Sequence, residues 1–225
     1  MNAPEPTPLC LDRDVDPASL AWVKMNGLLP AIVQHAHTGT VLMVGYMNLD
    51  ALRATLASRR VTFFSRGRGA LWTKGETSGH YLDATGVTCD CDADALLVRA
   101  IPHGPVCHTG APDCFMPQAG DPPLAILATL QSLLPQRIAA GPAASYTARL
   151  TAGGVRRVAQ KVGEEGVEVA LASVAEDDAA LTGEAADLLY HLAVLLHVRG
   201  LSLFTVAREL ERRHRAAASL APDPP

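Results

Sequence analysis

The most informative part of the chain reads TCDCDADALLVRAIPHGPVCHTGAPDCF and spans residues 88–115. It combines three cysteines with a run of three aspartates: Cys91, Cys107 and Cys114, and Asp90, Asp92 and Asp94. Soft thiolates bind zinc, whereas hard carboxylates bind magnesium or calcium. Ligands for two kinds of metal in one short segment indicate a catalytic site more than a structural one. Three thiolates also leave a tetrahedral zinc one position for water.

The cysteine spacing differs from the paired C-x-x-C of zinc fingers and ribbons. If the alternating run VTCDCDAD forms a strand, its aspartates point to one face and Cys89 and Cys91 to the other. One run then serves two metal sites on opposite sides of a sheet. Two alternatives stay open: the cysteines are small buried apolar side chains beside a solvated acidic edge, or Cys89 is a fourth ligand that closes a structural site.

Composition excludes several classes of protein. The 225 residues allow one or two domains, and 48% apolar residues are ample for their cores. A net charge of −4 gives no support for a nucleic-acid surface. The N-terminus lacks the basic and apolar regions of a signal peptide, and the apolar run at 188–198 is too short for a membrane span. Five cysteines favour a reducing cytoplasm and metal ligation over a disulfide framework.

The chain changes character at PQAGDPP, residues 117–123, where prolines and glycine stop regular structure. Before this break, strand-like segments surround one helix with Asn48 as its N-cap; the strand-like segments are LPAIVQHA, VLMVGYM, VTFFSR and ALWTKG. After it, four segments have helical apolar spacing. We therefore predict an α+β metal-binding domain over residues 1–117, followed by an all-α domain over residues 122–225.

The predicted helices carry a second cluster of charge. Lys161, Glu164, Glu165 and Glu168 form one stripe, and Glu184 and Asp187 lie three residues apart on the next helix. That next helix is apolar almost all round, which predicts burial. Facing carboxylates on two helices suit a Mg²⁺ site for a polyphosphate substrate. The alternative is a solvated acidic face with one salt bridge to Lys161.

A third segment, SRGRGALWTKGETSGH at 65–80, joins glycines to basic and hydroxyl side chains. Such a loop holds phosphate through backbone N–H groups, although a glycine-rich turn between strands has the same composition.

Together these motifs resemble two enzyme families. SRGRGALWTKGETSGH, CDCDAD, GPVCHTG and the terminal CF resemble phosphoribosyl-AMP cyclohydrolase. SYTARL at 145–150, QKVGEEGVEVALA and EAADLLYHLAVLL resemble phosphoribosyl-ATP pyrophosphohydrolase, which belongs with the MazG-like nucleotide pyrophosphohydrolases. The order matches the fused bifunctional enzymes of histidine biosynthesis, which implies two consecutive hydrolyses of small-molecule nucleotides.

The resemblance also implies roles for particular residues. It implies Zn²⁺ on Cys91, Cys107 and Cys114, with Cys91 supplied by the other subunit of a homodimer, and Mg²⁺ on Asp90, Asp92 and Asp94. It gives proton transfer to His108, with Glu76 as a second candidate, and substrate binding to Trp72, Lys74, Glu76, Thr77, Ser78 and His80. In the helical domain it implies Mg²⁺ on Glu164, Glu165, Glu168, Glu184 and Asp187, with Glu165 also catalytic and Lys161 a phosphate contact.

Two residues depart from the family pattern, and three alternative functions are considered. Asp113 stands where the family has a small polar residue, and Cys89 is additional. A zinc nucleobase deaminase is a rival, but the chain has no C-x-x-C. The other rivals are a zinc-stabilised binding module fused to a helical dimerisation domain, and a helical half that removes non-standard nucleotides.

Overall fold

The computed structural model describes residues 9, 11, 15–115 and 122–218. The chain separates into two compact units, Met1–Ala125 and Ile126–Pro225. The prediction of a strand-rich N-terminal part and a helical C-terminal part is confirmed. Residues 117–121 of the predicted break, and most of the N-terminal segment that was read for a signal peptide, lie outside the described residues.

The N-terminal unit is built on a four-stranded sheet and a two-stranded sheet. The first has the order β2-β1-β6-β5 and consists of β1 (Leu29–His35), β2 (Val41–Met47), β5 (Leu82–Cys89) and β6 (Leu96–Pro102). β1 pairs antiparallel with β2 and parallel with β6, and β5 pairs antiparallel with β6. The second sheet is the antiparallel pair β3 (Thr62–Ser65) and β4 (Ala70–Thr73).

Strand alternation places the core on one face of the large sheet. Leu29, Ala31 and Val33 of β1 are fully buried, whereas Ile32 between them is exposed. Helix α1 (Leu49–Ser58) follows β2, and the Asn48 side chain accepts a hydrogen bond from the Ala51 N–H, as the cap prediction requires.

The opposite face of the sheet carries an apolar row. Ile32 is in register with Val44 of β2 and with Leu97 of β6, and all three side chains are exposed. This row is defined here as the sheet patch. A contiguous exposed apolar surface of this kind marks an interaction site more often than a free surface.

The strand predicted over VTCDCDAD is wrong beyond Cys89. β5 ends at Cys89, and residues 90–94 form a turn in which Ala93 has a φ of 60°. The Asp90 carboxylate accepts hydrogen bonds from the N–H groups of Asp94 and Ala95, at 2.9 and 3.1 Å, which folds the segment back on itself. The three aspartates therefore share a turn and not one face of a strand.

The helical unit contains five helices in the described residues: α2 (Ala125–Ala139), α3 (Tyr146–Ala152), α4 (Gly154–Ala175), α5 (Asp178–Val198) and α6 (Leu203–Ala218). Its core joins Leu134, Leu150, Val158, Ala193 and Val194. Gly200, just after the end of α5, has the positive φ, 71°, expected of a glycine that follows a helix.

The sequence predicted that the apolar helix α5 is buried, and this prediction is wrong for most of the helix. Only His191, Ala193 and Val194 of this helix are buried. By length and composition alone, α5 is the one helix of the described residues apolar enough to cross a membrane, with a mean hydropathy of 1.3. Most of its other large apolar side chains are partly buried, and Leu189 is exposed.

Candidate active sites

A cavity of about 570 Å³ opens in the N-terminal unit and collects side chains from three distant segments. It contains the residues predicted there to bind substrate other than Glu76, together with the first predicted proton-transfer residue and two of the three thiols: Trp72, Lys74, Thr77, Ser78, His80, His108, Cys107 and Cys114. Met43, Arg68, Pro105 and Val106 also line it, and the sequence analysis had not singled these out.

A glycine shapes one wall of this cavity. Gly75 has a φ of 92°, and a Cβ there would lie 2.5 Å from the carbonyl carbon of His80 and the nitrogen of Tyr81. The chain can therefore fold back so closely only without a side chain at this position. The predicted phosphate loop is thus a tight turn that brings Lys74 and His80 to one cavity.

Glu76 lies in the same turn but does not line the cavity. Its carboxylate accepts a hydrogen bond from the Thr73 N–H at 3.2 Å, and its side chain is exposed. In this arrangement His108 is the better placed of the two predicted proton-transfer groups.

The three predicted zinc ligands fall into two places. Cys107 and Cys114 line the cavity and contact each other, and the Thr109 hydroxyl donates to the Cys107 Sγ at 3.2 Å. That hydroxyl lowers the pKa of Cys107, whereas burial raises the pKa of Cys114. Cys91 is exposed in the turn after β5. Across the described ranges, the groups of three or more converging potential metal ligands contain no cysteine.

Cys89 differs from the other thiols. It is partly buried and packs against the N-terminal core, and it does not line the cavity. Asp113, the other departure from the family pattern, is buried and accepts a hydrogen bond from the Phe115 N–H at 2.7 Å. Its position fixes the backbone beside Cys114.

The aspartate turn forms a compact anionic cluster. One carboxylate oxygen from each of Asp90, Asp92 and Asp94 lies within 4.8 Å of the others. The Lys24 ammonium lies 2.5 Å from both Asp92 and Asp94, and it lowers the pKa of Asp92. The hard oxygen ligands are those that Mg²⁺ prefers, and Lys24 was not found by motif because it lies 66 residues before Asp90.

A second anionic cluster joins α4 and α5. Carboxylate oxygens of Glu165, Glu184 and Asp187 lie within 4.8 Å of one another. Glu168 contacts Glu165, which raises the pKa of Glu168. Two carboxylates close enough to share a proton are the arrangement that a divalent cation stabilises. Glu164 turns away and binds Lys161 at 2.9 Å and Gln160 at 2.7 Å.

Glu165 is the buried member of this cluster. Its Oε1 lies 2.7 Å from the Lys161 ammonium, which is the main reason that the pKa of Glu165 is lowered. The carboxylate is therefore held ionised although it is buried. Lys161, Glu165 and Asp187 line a cavity of about 850 Å³ in the helical unit.

The segment Ser145–Thr147 closes that cavity from α3. The Tyr146 hydroxyl is 3.0 Å from His191 Nε2, and the Thr147 hydroxyl is 2.7 Å from the Tyr190 hydroxyl. The Ser145 hydroxyl accepts from the Ala148 N–H and begins the helix. The motif SYT predicted a family but not these partners, the adjacent Tyr190 and His191, which lie more than 40 residues away in the chain.

Comparison with known proteins agrees with this division. The family model "Phosphoribosyl-AMP cyclohydrolase" matches residues 43–116, and "Phosphoribosyl-ATP pyrophosphohydrolase" matches residues 127–214. These matches oppose the deaminase, binding-module and non-standard-nucleotide alternatives.

Relatives match along most of their length. The chain is 54% identical over 196 residues to the histidine biosynthesis bifunctional protein HisIE of Escherichia coli K12, covering 87% of this chain and 96% of the relative. It is 55% identical over 198 residues to HisIE of Xanthomonas axonopodis pv. citri, covering 88% and 94%. With HisIE of Yersinia pestis it shares 53% identity over 195 residues, covering 87% and 95%. The chain therefore belongs to the family of bifunctional histidine biosynthesis proteins that joins these two enzymes in one polypeptide.

Proposed function

We propose that the two hydrolytic steps of this family are divided between the two anionic, cavity-bearing units of the chain. The chain is a bifunctional hydrolase that converts phosphoribosyl-ATP to phosphoribosyl-AMP and pyrophosphate, and then opens the adenine ring of phosphoribosyl-AMP. Residues 122–225 carry the first step as a MazG-like domain, and residues 1–117 carry the second as a metal-binding domain. The observation that carries this proposal is that each matched segment has its own cavity with its own set of acid, base and ligand groups.

In the helical unit, the carboxylates are the groups that would hold Mg²⁺ beside the triphosphate of the substrate. Glu165, Glu168, Glu184 and Asp187 have the oxygen donors that Mg²⁺ prefers, and they converge between two facing helices. Bound magnesium offsets phosphate charge and orients the groups that react. Glu165, held ionised by Lys161, is the base that takes a proton from the attacking water. Lys161 lies at the cavity wall to contact a phosphate, and Glu164 is a more distant ligand candidate.

In the N-terminal unit, the thiolates hold zinc and the loop residues hold the nucleotide. The donor set of Cys91, Cys107 and Cys114 suits zinc, which when bound would supply an activated water at neutral pH. Lys74, Thr77, Ser78 and His80 hold the substrate phosphate and ribose, and Trp72 forms an aromatic wall. His108, beside Cys107, takes a proton from the water that attacks ring carbon C6 and returns it to N1 as the N1–C6 bond breaks. Magnesium on Asp90, Asp92 and Asp94 offsets further phosphate charge.

A homodimer completes both units. In the helical unit, Val167, Leu171 and Val174 form an exposed apolar stripe on α4, and Leu189 of α5 is exposed as well. In the N-terminal unit, the sheet patch is exposed, and Cys91 lies apart from Cys107 and Cys114. A second copy that covers these surfaces and supplies Cys91 accounts for both observations. The composition supports cytoplasmic localisation, with no nucleic-acid or membrane partner.

Two separate assays on one preparation test this proposal. Phosphoribosyl-ATP is supplied with Mg²⁺ and Zn²⁺, and pyrophosphate release and ring opening are followed independently. Glu165→Gln should abolish pyrophosphate release and leave the opening of added phosphoribosyl-AMP near the wild-type rate. Cys107→Ser should do the reverse. If either variant, still folded, loses both activities, the two-site division is wrong.

A further inference from the structure

One buried group in the helical cavity has no role in the two steps described above. His191 of α5 is buried, and both of its ring nitrogens have partners. Nδ1 lies 2.9 Å from the Asp187 carbonyl oxygen, and Nε2 lies 3.0 Å from the Tyr146 hydroxyl. A buried polar ring that is satisfied on both sides is held in one orientation.

The partners also fix which nitrogen of the neutral ring carries the proton. A carbonyl oxygen only accepts hydrogen bonds, so Nδ1 must donate to Asp187. Nε2 of the neutral ring is then an acceptor, and the Tyr146 hydroxyl donates to it. The Asp187 carbonyl therefore selects the tautomer in which Nδ1 carries the proton, and the Tyr146 hydroxyl supplies the matching donor to Nε2.

That N–H side of the ring faces the carboxylate of Glu165. Nδ1 lies 3.4 Å from Glu165 Oε1, the same oxygen that is 2.7 Å from the Lys161 ammonium. Glu165 is thus flanked by Lys161 on its own helix and by His191 on α5. The same helix α5 supplies Glu184 and Asp187 to the carboxylate cluster.

We propose that His191, oriented by Tyr146, is a positioning residue that holds Glu165 in the geometry required for pyrophosphate release. This inference rests on the proposed role of Glu165 in the helical unit. Partners of metal-binding and basic side chains commonly act in this way, because a fixed carboxylate loses less freedom when a cation or water binds. It also gives SYT and the dipeptide Tyr190-His191 a common function, since α3 places the Tyr146 hydroxyl within hydrogen-bond distance of His191 Nε2.

Two substitutions of His191 separate positioning from packing. In His191→Asn the amide nitrogen lies near the place of Nδ1 and still donates toward Asp187 and Glu165. In His191→Gln the amide reaches the place of Nε2 and Tyr146, and the donor beside Glu165 is lost. The matched control is His197→Asn, on the same helix and outside the cavity lining.

The variants are compared by kcat and KM for pyrophosphate release, by Mn²⁺ affinity from EPR titration, and by urea unfolding. We expect His191→Gln to lower kcat by about 10- to 100-fold with little change in KM, and to weaken Mn²⁺ binding. His191→Asn should retain most of both, Tyr146→Phe should lower kcat less than His191→Gln, and the control should match wild type.

Equal losses of kcat and Mn²⁺ affinity in His191→Asn and His191→Gln would show that the ring only fills space. Unchanged kcat and Mn²⁺ affinity in both variants would show that His191 does not position Glu165. If the wild-type enzyme released no pyrophosphate, the proposed function would fail first. The Mn²⁺ affinities of the same variants would then still decide whether His191 positions Glu165.

Discussion

Lys24 reaches the aspartate turn, and its ammonium lies 2.5 Å from the Asp92 carboxylate. The hydrogen bond to Asp92, followed by that to Asp94, raises the pKa of Lys24 above its ordinary value. The ammonium thereby offsets the mutual repulsion of the carboxylates, in the place where a divalent cation would act. Lysine and metal therefore compete for the same oxygens.

Removing this competitor should strengthen metal binding in the N-terminal unit. We expect Lys24→Met to bind Mn²⁺ roughly two- to fivefold more tightly, a small effect because the ion pair is solvent-exposed. EPR titration of a Glu165→Gln background, in which the helical site is weakened, measures the change. Lys24→Arg is the control and should resemble wild type. Weaker Mn²⁺ binding in Lys24→Met would show that Lys24 supports the cluster instead.

The packing of Cys89 against the core predicts that it takes no part in zinc binding. Cys107→Ser should lose zinc and ring opening, because it removes one of three thiolates. Cys89→Ser should retain one zinc per chain and the activity. Metal analysis of the purified proteins decides this. Loss of zinc from Cys89→Ser would identify a closed four-thiolate site and would favour a structural role for the metal.

The separation of Cys91 from Cys107 and Cys114 predicts complementation between subunits. Cys91→Ser and Cys107→Ser homodimers should each lack ring opening. In a mixed dimer, one site loses both ligands, while the other draws Cys91 and Cys107 from intact copies. Subunit exchange should therefore restore up to half of the wild-type activity per heterodimer.

Mass spectrometry of the exchanged sample shows whether heterodimers have formed. If they are present and ring opening stays absent, all three cysteines act within one chain.

The close approach at Gly75 predicts a specific loss of stability. Gly75→Ala places a Cβ against backbone and forces an unfavourable φ, which we expect to cost about 1–3 kcal/mol of unfolding free energy. Gly67→Ala, with no atom within 4 Å of its Cβ, should change stability by about 0.5 kcal/mol or less. Both tryptophans, Trp22 and Trp72, belong to the N-terminal unit, so urea unfolding followed by their fluorescence reports this unit. Equal effects of the two substitutions would contradict the steric argument.

The exposed stripe on α4 predicts the association surface of the helical unit. Leu171 is 57% exposed and lies between Val167 and Val174. Leu171→Asp should shift the protein toward monomer in sedimentation velocity, because a carboxylate in an apolar interface is costly to bury. Val23→Asp, at a residue that is 94% exposed in the other unit, is the control. An unchanged dimer in Leu171→Asp would move the interface elsewhere.

Local patterns account for the features that the sequence predicted well. The alternation of buried and exposed side chains in β1 and the Asn48 N-cap depend on residues a few positions apart, so the local sequence predicts both. Converging carboxylates on α4 and α5 were predicted because each pair has helical spacing.

Features that depend on distant or external partners were missed. The turn at 90–94 follows from Asp90 binding its own backbone, which competes with strand pairing in a way that alternation does not reveal. The burial predicted for α5 was wrong because hydrophobic spacing shows how apolar a helix is and not how much of it the rest of the chain covers. The bond between Tyr146 and His191 spans 45 residues and leaves no local pattern.

The parallel pairing of β1 with β6 has a consequence for synthesis on the ribosome. Ala31 lies opposite Leu96, 65 residues later, so the two central strands of the sheet can pair only after that length of chain has been synthesised. The N-terminal unit must then wait, partly formed, until β6 has left the exit tunnel. Its contacts are distant in sequence and it should fold slowly, whereas the helices that follow make local contacts and should fold quickly. The N-terminal unit, although translated first, can therefore complete its folding after the helical unit. The partly folded N-terminal chain is the species most prone to aggregation.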